Sequence, residues 1–243
     1  MAELLPFSRD AIVQLSASLN EPEWMLDLRL EAWEIFASLP MPTTRDEAWR
    51  RTDIRRFKLE SFGISLNGNG ATGANVPDHL AAQLTDDAAG GILVEVNGLV
   101  EEYSLSDELR SQGVIFCDMH TAVREHGDLV RKYFMTEAVR ADEGKFAALH
   151  AAFWRGGVFL YVPPNVTAVA PLHSALWATS GRTFTHTLVV LDTNSEATFI
   201  DEYASPAKGE GQALHNGAIE LIVRDGASLH YASLQDFGTN VWQ

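Results

Sequence analysis

The sequence has almost no sulfur chemistry of its own, because its 243 residues include one cysteine, Cys117. A single cysteine excludes an intramolecular disulfide and a cysteine-cluster metal site built from this chain alone. No basic start followed by an apolar run opens the chain, and no apolar stretch reaches the length of a membrane span. Cysteine-poor chains without a signal peptide are typical of a reducing compartment, so we expect a cytoplasmic protein without a membrane partner.

Positive charge is also scarce, with 18 Lys and Arg residues against 33 Asp and Glu residues and a formal net charge of −15. Such a surface repels phosphate backbones, which excludes nucleic acid as a general partner. Hydrophobic residues nevertheless make up 46% of the chain, enough for a buried core. The length suits one large domain or two ordinary ones.

Three motifs of common enzyme classes are absent as well. No Gly-x-Gly-x-x-Gly follows a strand and opens a helix, no Walker A lysine motif occurs, and no Gly-x-Ser-x-Gly elbow is found. A Rossmann dehydrogenase, a P-loop NTPase and a serine hydrolase are therefore unsupported.

Residues 1–65 predict a helical N-terminal region. Ser8 is placed to cap a first helix, and Asn20 with Glu23 resembles a capping box for a second that ends before Pro40. Residues 43–60 carry six cationic side chains among four carboxylates. This pattern predicts a solvated helical face with local ion pairs, and the alternative is a docking patch for an acidic partner or for the acidic remainder of this chain.

Residues 66–90 are rich in Gly, Asn, Ala and Asp and predict a flexible linker. A mixed α/β segment follows over 91–155. There Asn97-Gly98 between two apolar runs predicts a β-hairpin, "GVIFCDM" predicts a short buried strand, and 119–153 predicts helices.

Residues 156–243 consist of short strand-like pieces separated by turn residues, with no helical segment. Asp192 and Asp225 each follow an apolar strand and lie 33 residues apart, a weak repeat that favours a solenoid of stacked strands. A solenoid needs a cap, and none is apparent before Gln243. We therefore expect an incomplete solenoid, truncated at its C-terminus, whose natural chain continues.

Candidate metal and catalytic residues fall into three groups. Polar residues near the cysteine match no standard ligand spacing and are interpreted as ordinary structural residues: Cys117, Asp118, His120, Glu125 and His126. Histidines of the strand region would converge on iron or zinc only if coils stack suitably, and scattered structural histidines are the favoured alternative: His173, His186, His215 and His230. Carboxylates that would suit paired acid–base work are more simply turn and solvent-face residues: Asp192, Glu196, Asp201 and Glu202.

The six tryptophans predict core and interface packing, because none lies in the basic surroundings that nucleic-acid stacking needs: Trp24, Trp33, Trp49, Trp154, Trp177 and Trp242.

Several strings, in this order, resemble the SufB/SufD family of iron–sulfur cluster assembly proteins. They are "EPEWMLDLRLEAWEIFASLPMP", "EAWRRTDIRRF", "GVIFCDMHTAVREHGDLVRKYF", "KFAALHAAFWRGGVFLYVPPNV" and "HYASLQDFGTNVW", which together span nearly the whole chain. The first two favour a SufD-like over a SufB-like member. The resemblance implies an α+β fold, with a helical N-terminal region followed by a right-handed β-helix over 156–243.

The resemblance also implies a scaffold subunit and not an enzyme. It would pair with a SufB-like subunit through the β-helix and bind a SufC-like ATPase through a later C-terminal region. The interface Cys and His of the family, proposed to carry the nascent cluster, lie beyond Gln243, so no residue here inherits a catalytic, cofactor-binding or metal role. A transient Fe–S cluster or iron is expected in the complex, with none bound stably by this chain.

Two other classes remain open. A β-helix carbohydrate-active enzyme or binding module would need paired carboxylates on one solenoid face or a Ca²⁺ site. A cupin-type metal barrel would need a closely spaced histidine pair on one strand, which the sequence lacks.

Overall fold

The fold places helices before and around a stack of mostly parallel strands. The structure, a computed structural model, describes residues 4–66, 77 and 89–243. Its α-helices are α1 Arg9–Ser18, α2 Glu23–Ser38, α3 Asp107–Ser111, α4 Met119–Glu125, α5 Gly127–Tyr133 and α6 Lys145–Phe153. Its strands are β1 Gly91–Val96, β2 Leu99–Leu105, β3 Ile115–Asp118, β4 Val158–Val162, β5 Leu172–Trp177, β6 Arg182–Thr183, β7 His186–Leu191, β8 Glu196–Ala204, β9 Ala213–His215, β10 Ala218–Val223, β11 Ser228–Asp236 and β12 Val241–Trp242.

Both predicted N-terminal helices are confirmed, and the first begins as expected. Ser8 Oγ accepts a hydrogen bond from the Ala11 N–H at the start of α1. The capping box predicted at Asn20 is wrong, because α2 begins after Pro22 without a side-chain cap and Asn20 has a positive φ of 52°. That turn has another role: it positions the neighbouring carboxylate, Glu21, to pair with Arg29 of α2.

The Arg29–Glu21 ion pair joins α2 to the end of α6. Arg29 is fully buried, and its Nη2 lies 2.6 Å from Glu21 Oε1. The same guanidinium donates to the carbonyl oxygens of Ala152 and Trp154, at 3.1 Å and 3.0 Å. It thereby satisfies carbonyls that the end of α6 leaves without helical partners. A buried cation with all these acceptors holds the two helices in one arrangement.

The helix predicted over residues 43–60 is wrong, whereas its local ion pairs are confirmed. Only 3₁₀ turns form there, at Glu47–Trp49 and Leu59–Ser61. Short side chains compete with the helix for backbone hydrogen bonds, since the Asp46 carboxylate accepts from the Thr43 N–H and Asp53 accepts from the Arg55 N–H. The predicted linker over 66–90 lies almost entirely outside the described residues.

The predicted hairpin and the predicted helices of 119–153 are confirmed, the latter as α4, α5 and α6. β1 and β2 pair antiparallel around Asn97 and Gly98, whose φ angles are 55° and 81°, as a tight turn requires. β1 also pairs in parallel with β5, and β3 pairs antiparallel with β4. The mixed segment therefore adds strands directly to the sheets of the later region.

Strands β4 to β12 form three successive triplets that stack on one another. The first strands pair in parallel as β4, β7 and β10, the second as β5, β8 and β11, and the third as β6, β9 and β12. No helix occurs between residues 156 and 243, all of which the structure describes, so the predicted strand stack is confirmed. This stack is an array of open parallel sheets and not a closed barrel, which removes the cupin alternative.

One corner of the stack repeats the same backbone geometry in each triplet. Asn165, Asn194 and Gly226 follow the first strand of successive triplets with φ angles of 61°, 57° and 71°. Neighbouring corners are hydrogen-bonded, because the Asn165 N–H donates to the Thr193 carbonyl and the Asn194 N–H donates to the Asp225 carbonyl. The predicted repeat around the aspartates therefore marks a real structural period, close to the 32-residue offset between His186 and Ala218.

Three apolar clusters hold these layers together. One fills the space between the five-stranded and four-stranded sheets, with Leu160, Val189 and Phe199 fully buried. A second packs α1, α2 and α6 together, and a third packs α4 and α5 against the outer face of the four-stranded sheet. The six tryptophans contact these clusters or other aromatic and apolar side chains, as predicted: Trp24, Trp33, Trp49, Trp154, Trp177 and Trp242.

Candidate functional site

The strand stack encloses a polar cluster centred on the carboxylate of Asp201, which is 3% exposed. Its oxygens accept hydrogen bonds from four hydroxyl groups contributed by β5, β7, β8 and β11: Ser174, Thr187, Tyr203 and Tyr231, at 2.5 to 3.2 Å. Burial raises the pKa of Asp201, and the four hydroxyl donors oppose that rise. The cluster thus ties all three triplets together through one carboxylate.

A second buried carboxylate, Glu95 of β1, lies at the point where the helices meet the stack. Both of its oxygens are 2.9 Å from the Gly157 amide nitrogen, which donates to them. Burial, opposed by the Gly157 hydrogen bond and assisted by the nearby carboxylates Asp118 and Asp201, raises the pKa of Glu95 to about 8. The native protein therefore holds this carboxyl largely protonated at neutral pH.

We expect the Glu95→Gln variant to become more stable than the unaltered protein as pH rises. The folded-state pKa lies above the usual value of 4.5, so the stability associated with the proton is complete below pH 4.5 and is lost as pH rises to about 8. Near pH 9 the variant should be favoured by roughly 4 kcal/mol in urea unfolding, and by little near pH 5. Glu102→Gln, at an exposed position of β2, is the matched control and should show no such trend. A pH-independent difference between Glu95→Gln and the unaltered protein would contradict the assigned protonation.

The third polar feature joins α6 to the four-stranded sheet through two histidines and a glutamate, all of them buried. The Asn216 carbonyl can only accept, so His150 Nδ1 carries a hydrogen and His150 Nε2 accepts from His186 Nδ1 at 2.9 Å. His186 Nε2 and Glu220 Oε1, which are 3.0 Å apart, then share one further hydrogen. Burial lowers the pKa of both histidines.

Glu220 also holds the loop that follows α5. Its Oε1 accepts from the Met135 N–H at 2.7 Å, and its Oε2 accepts from the Val139 N–H at 3.1 Å. These donors lie more than 80 residues away in sequence. One side chain of β10 therefore fixes both the loop and the histidine pair, and we call this set the junction network: Met135, Val139, His150, His186 and Glu220.

The polar residues around the cysteine make local structural contacts. Cys117 is a buried residue of β3, and burial raises the pKa of its thiol to about 12, which keeps it protonated. His120 stacks on Trp154 and accepts from the Gly156 N–H at 3.1 Å. Asp118 caps α4 by accepting from the Thr121 N–H. The prediction of structural roles for this group is confirmed at these positions.

The four predicted histidines of the strand region do not converge. His186 belongs to the junction network, whereas His215 bonds Thr183 on the third sheet, with 2.8 Å between its Nδ1 and the Thr183 hydroxyl. His173 and His230 lie on β5 and β11 of the five-stranded sheet. Within residues 4–66, 77 and 89–243, no group of three or more His, Cys, Asp or Glu side chains is arranged to hold a metal ion.

The four predicted carboxylates occupy two kinds of environment in the structure. Asp192 is a turn residue that accepts from the Thr193 N–H and the Tyr161 hydroxyl, and Glu196 is exposed, as predicted. The solvent-face prediction is wrong for Asp201 and Glu202, which are buried because β8 is the middle strand between β5 and β11. Within the described part of the chain, the hydrogen-bond partners of Asp201 are hydroxyl groups and not a second carboxylate.

Sequence reasoning missed Glu95, His150 and Glu220. The two glutamates carry a signal, since each interrupts an apolar strand run, "ILVEV" and "AIELIV", where a charge has no place without a buried partner. His150 carries none, because its partner lies 36 residues away.

None of the helices in the described part of the chain is long and apolar enough to cross a bilayer.

Comparison with known proteins places the whole chain in one family. The model of the SufBD protein N-terminal region matches residues 9–173, and that of the SUF system FeS cluster assembly SufBD core domain matches residues 176–243. The chain belongs to the SufBD family of the SUF iron–sulfur cluster assembly system.

Individual relatives agree with the family models. The iron–sulfur cluster assembly protein SufD of Bacillus subtilis (strain 168) is 33% identical over 98% of this chain and 54% of its own length. SufBD family proteins of Staphylococcus epidermidis and Staphylococcus aureus are 29% identical over 97% of the chain and 52% of their own length. The chain thus spans about half the length of the curated relatives it matches.

Proposed function

We propose that this chain acts as a SufD-like scaffold in a SUF complex, pairing through its strand stack with a SufB-like subunit. The observation that carries the proposal is the stack itself, whose strands β6 to β12 lie within the match to the SufBD core domain over 176–243. A scaffold needs a rigid platform, and the polar cluster around Asp201 links three triplets of that platform. A SufC-like ATPase would bind the half of the relatives' length that this chain does not span.

We propose further that the chain is not itself an enzyme and holds iron or a cluster only transiently, in the cytoplasm. The buried carboxylates Glu95 and Asp201 accept hydrogen bonds from amide and hydroxyl donors, and the thiol of Cys117 is kept protonated by burial. The carbohydrate-active alternative needs paired carboxylates, and the described residues supply no observation that favours it.

We infer that the triplets wind as a right-handed β-helix. Connections between parallel strands of one sheet are right-handed in about 98% of cases, because right-twisted strands pack back onto the sheet in that hand. The parallel order β4, β7, β10 requires two such connections. An experimental structure with left-handed connections would contradict this inference.

Co-expression tests the scaffold proposal. We expect the tagged chain to recover a SufB-like subunit, and Leu234→Asp, on the exposed surface of β11, to reduce that recovery by placing a charge in an apolar contact. Val169→Asp makes the same change at an exposed apolar residue outside the strands and should recover the partner normally. Failure of the unaltered chain to recover the partner would contradict the proposed function. Recovery that both variants leave unchanged would contradict the proposed surface.

A further inference from the structure

The helical region carries a groove with an aromatic floor. It has a volume of about 880 Å³ and lies between α2 and the segment over residues 41–62. Five aromatic side chains line it: Phe7, Trp33, Phe36, Phe57 and Phe62. Trp33 and Phe36 stack with ring centroids 5.1 Å apart, as do Phe57 and Phe62 at 5.5 Å. Such a surface suits the insertion of one large apolar side chain.

Lys145 holds the aromatic floor of the groove in place. Lys145 donates from Nζ to the carbonyl oxygens of Phe36 and Leu39, both at 2.7 Å, at the end of α2. Its ammonium also lies 3.9 Å from the Phe36 ring centroid. Two of the three N–H donors of this lysine therefore hold the end of α2.

Beside the groove lies an exposed patch of positive charge within residues 43–60. This segment holds six of the chain's 18 Lys and Arg residues, and all six are exposed. Arg50 and Arg55 pair with the local carboxylates Glu47 and Asp53. The other four form no ion pair within the described part of the chain: Arg45, Arg51, Arg56 and Lys58.

The local charge contrasts with that of the molecule. The chain as a whole carries −15, yet this short segment has six cationic side chains against four carboxylates and borders the aromatic groove. Arg45 and Arg55 line the groove together with Asp53 and Glu60, and Arg55 is paired with Asp53. An aromatic floor beside a segment with net positive charge is complementary to a peptide that combines carboxylates with one apolar anchor. The same net charge disfavours a basic peptide.

We propose that the groove binds an acidic peptide segment of a partner protein, with one large apolar side chain seated on the aromatic floor and its carboxylates facing Arg45 and its neighbours. This goes beyond the scaffold function, since it uses the helical region and not the strand stack. It needs neither the SufB-like nor the SufC-like partner.

Fluorescence anisotropy on the full chain tests the proposal with three labelled peptides. The first alternates glutamate with leucine around a central tryptophan, the second has lysine in place of glutamate, and the third has serine in place of the apolar residues. We expect only the first to bind, with an affinity that falls as salt is added. Binding of the lysine or serine peptide as tightly as the first would overturn the proposal.

Two surface variants locate the site. Arg45→Glu reverses a charge that lines the groove, and Met41→Glu places a carboxylate at an exposed groove residue, so each should weaken binding by roughly fivefold or more. Arg131→Glu is the matched control: it makes the same charge change at an exposed arginine of α5 that does not line the groove. All three should melt like the unaltered protein. Unchanged binding by Arg45→Glu and Met41→Glu, or a dimer that occupies the groove and excludes the peptide, would refute the assignment.

Discussion

Replacing Glu220 with alanine is expected to lower the free energy of unfolding by about 3–5 kcal/mol, because the buried His186 ring and two partly buried backbone amides lose their partner together. The Met135 and Val139 amides and the His186 ring all contact its carboxylate, and Glu220 is fully buried. For a chain of this size the melting temperature should fall by roughly 10 °C.

Urea and thermal unfolding, followed by circular dichroism, measure the effect. The matched control is Glu196→Ala, which removes the same side chain from an exposed position of β8 and should change stability by less than about 0.5 kcal/mol. Glu220→Gln should fall between the two, since one amide oxygen can still accept while its NH₂ group faces a donor. Equal unfolding midpoints for Glu220→Ala and Glu196→Ala would show that the junction network contributes nothing.

A second large effect is expected at Gly157, where an added methyl group has no space. The φ angle of Gly157 is 109°, and a β-carbon there would overlap the backbone carbonyl and amide of His186. Those atoms belong to β7, which is buried on both faces and cannot shift. Gly157→Ala should therefore cost more than about 4 kcal/mol and reduce the yield of folded protein.

Two other glycines separate the causes of that loss. Gly181 also has a positive φ, 75°, but no atom lies within 4 Å of its built β-carbon, so Gly181→Ala should cost only about 1–2 kcal/mol. Gly144 is extended and open, and Gly144→Ala should be nearly neutral. If Gly157→Ala unfolds with the same midpoint as Gly181→Ala, the close approach to β7 is not a constraint.

Much of the fold was open to prediction because its signals are local. Ser8 caps α1 through a bond to a residue three positions on, and Asn97-Gly98 sets its hairpin within two residues. The short strands after Gly156 follow the period of two and the spacing of their turn residues. The helix predicted over 43–60 failed for an equally local reason, since short polar side chains there bond to nearby amides.

The polar clusters were not open to prediction because their members are distant in sequence. An aspartate such as Asp201 is usually a surface residue. Here β5 and β11 lie on either side of its strand and supply the hydroxyl groups of Ser174 and Tyr231. His186 meets His150 and not the strand-region histidines with which it was grouped. The register in which the triplets stack decides which side chains come together. The sequence alone does not reveal that register.

The residues with positive φ at one corner of the strand stack limit where this fold can accommodate extra residues. Because Asn165, Asn194 and Gly226 are bonded corner to corner, a length change there would unseat the neighbouring turns. The connection between the second and third strands of a triplet does vary in length: residues 205–212 connect β8 to β9, twice the length of 178–181 and 237–240 in the adjacent triplets, with no loss of pairing on either side. We therefore expect the solvent-exposed stretch around Lys208 to accept insertions or tags while the strand pairing is retained.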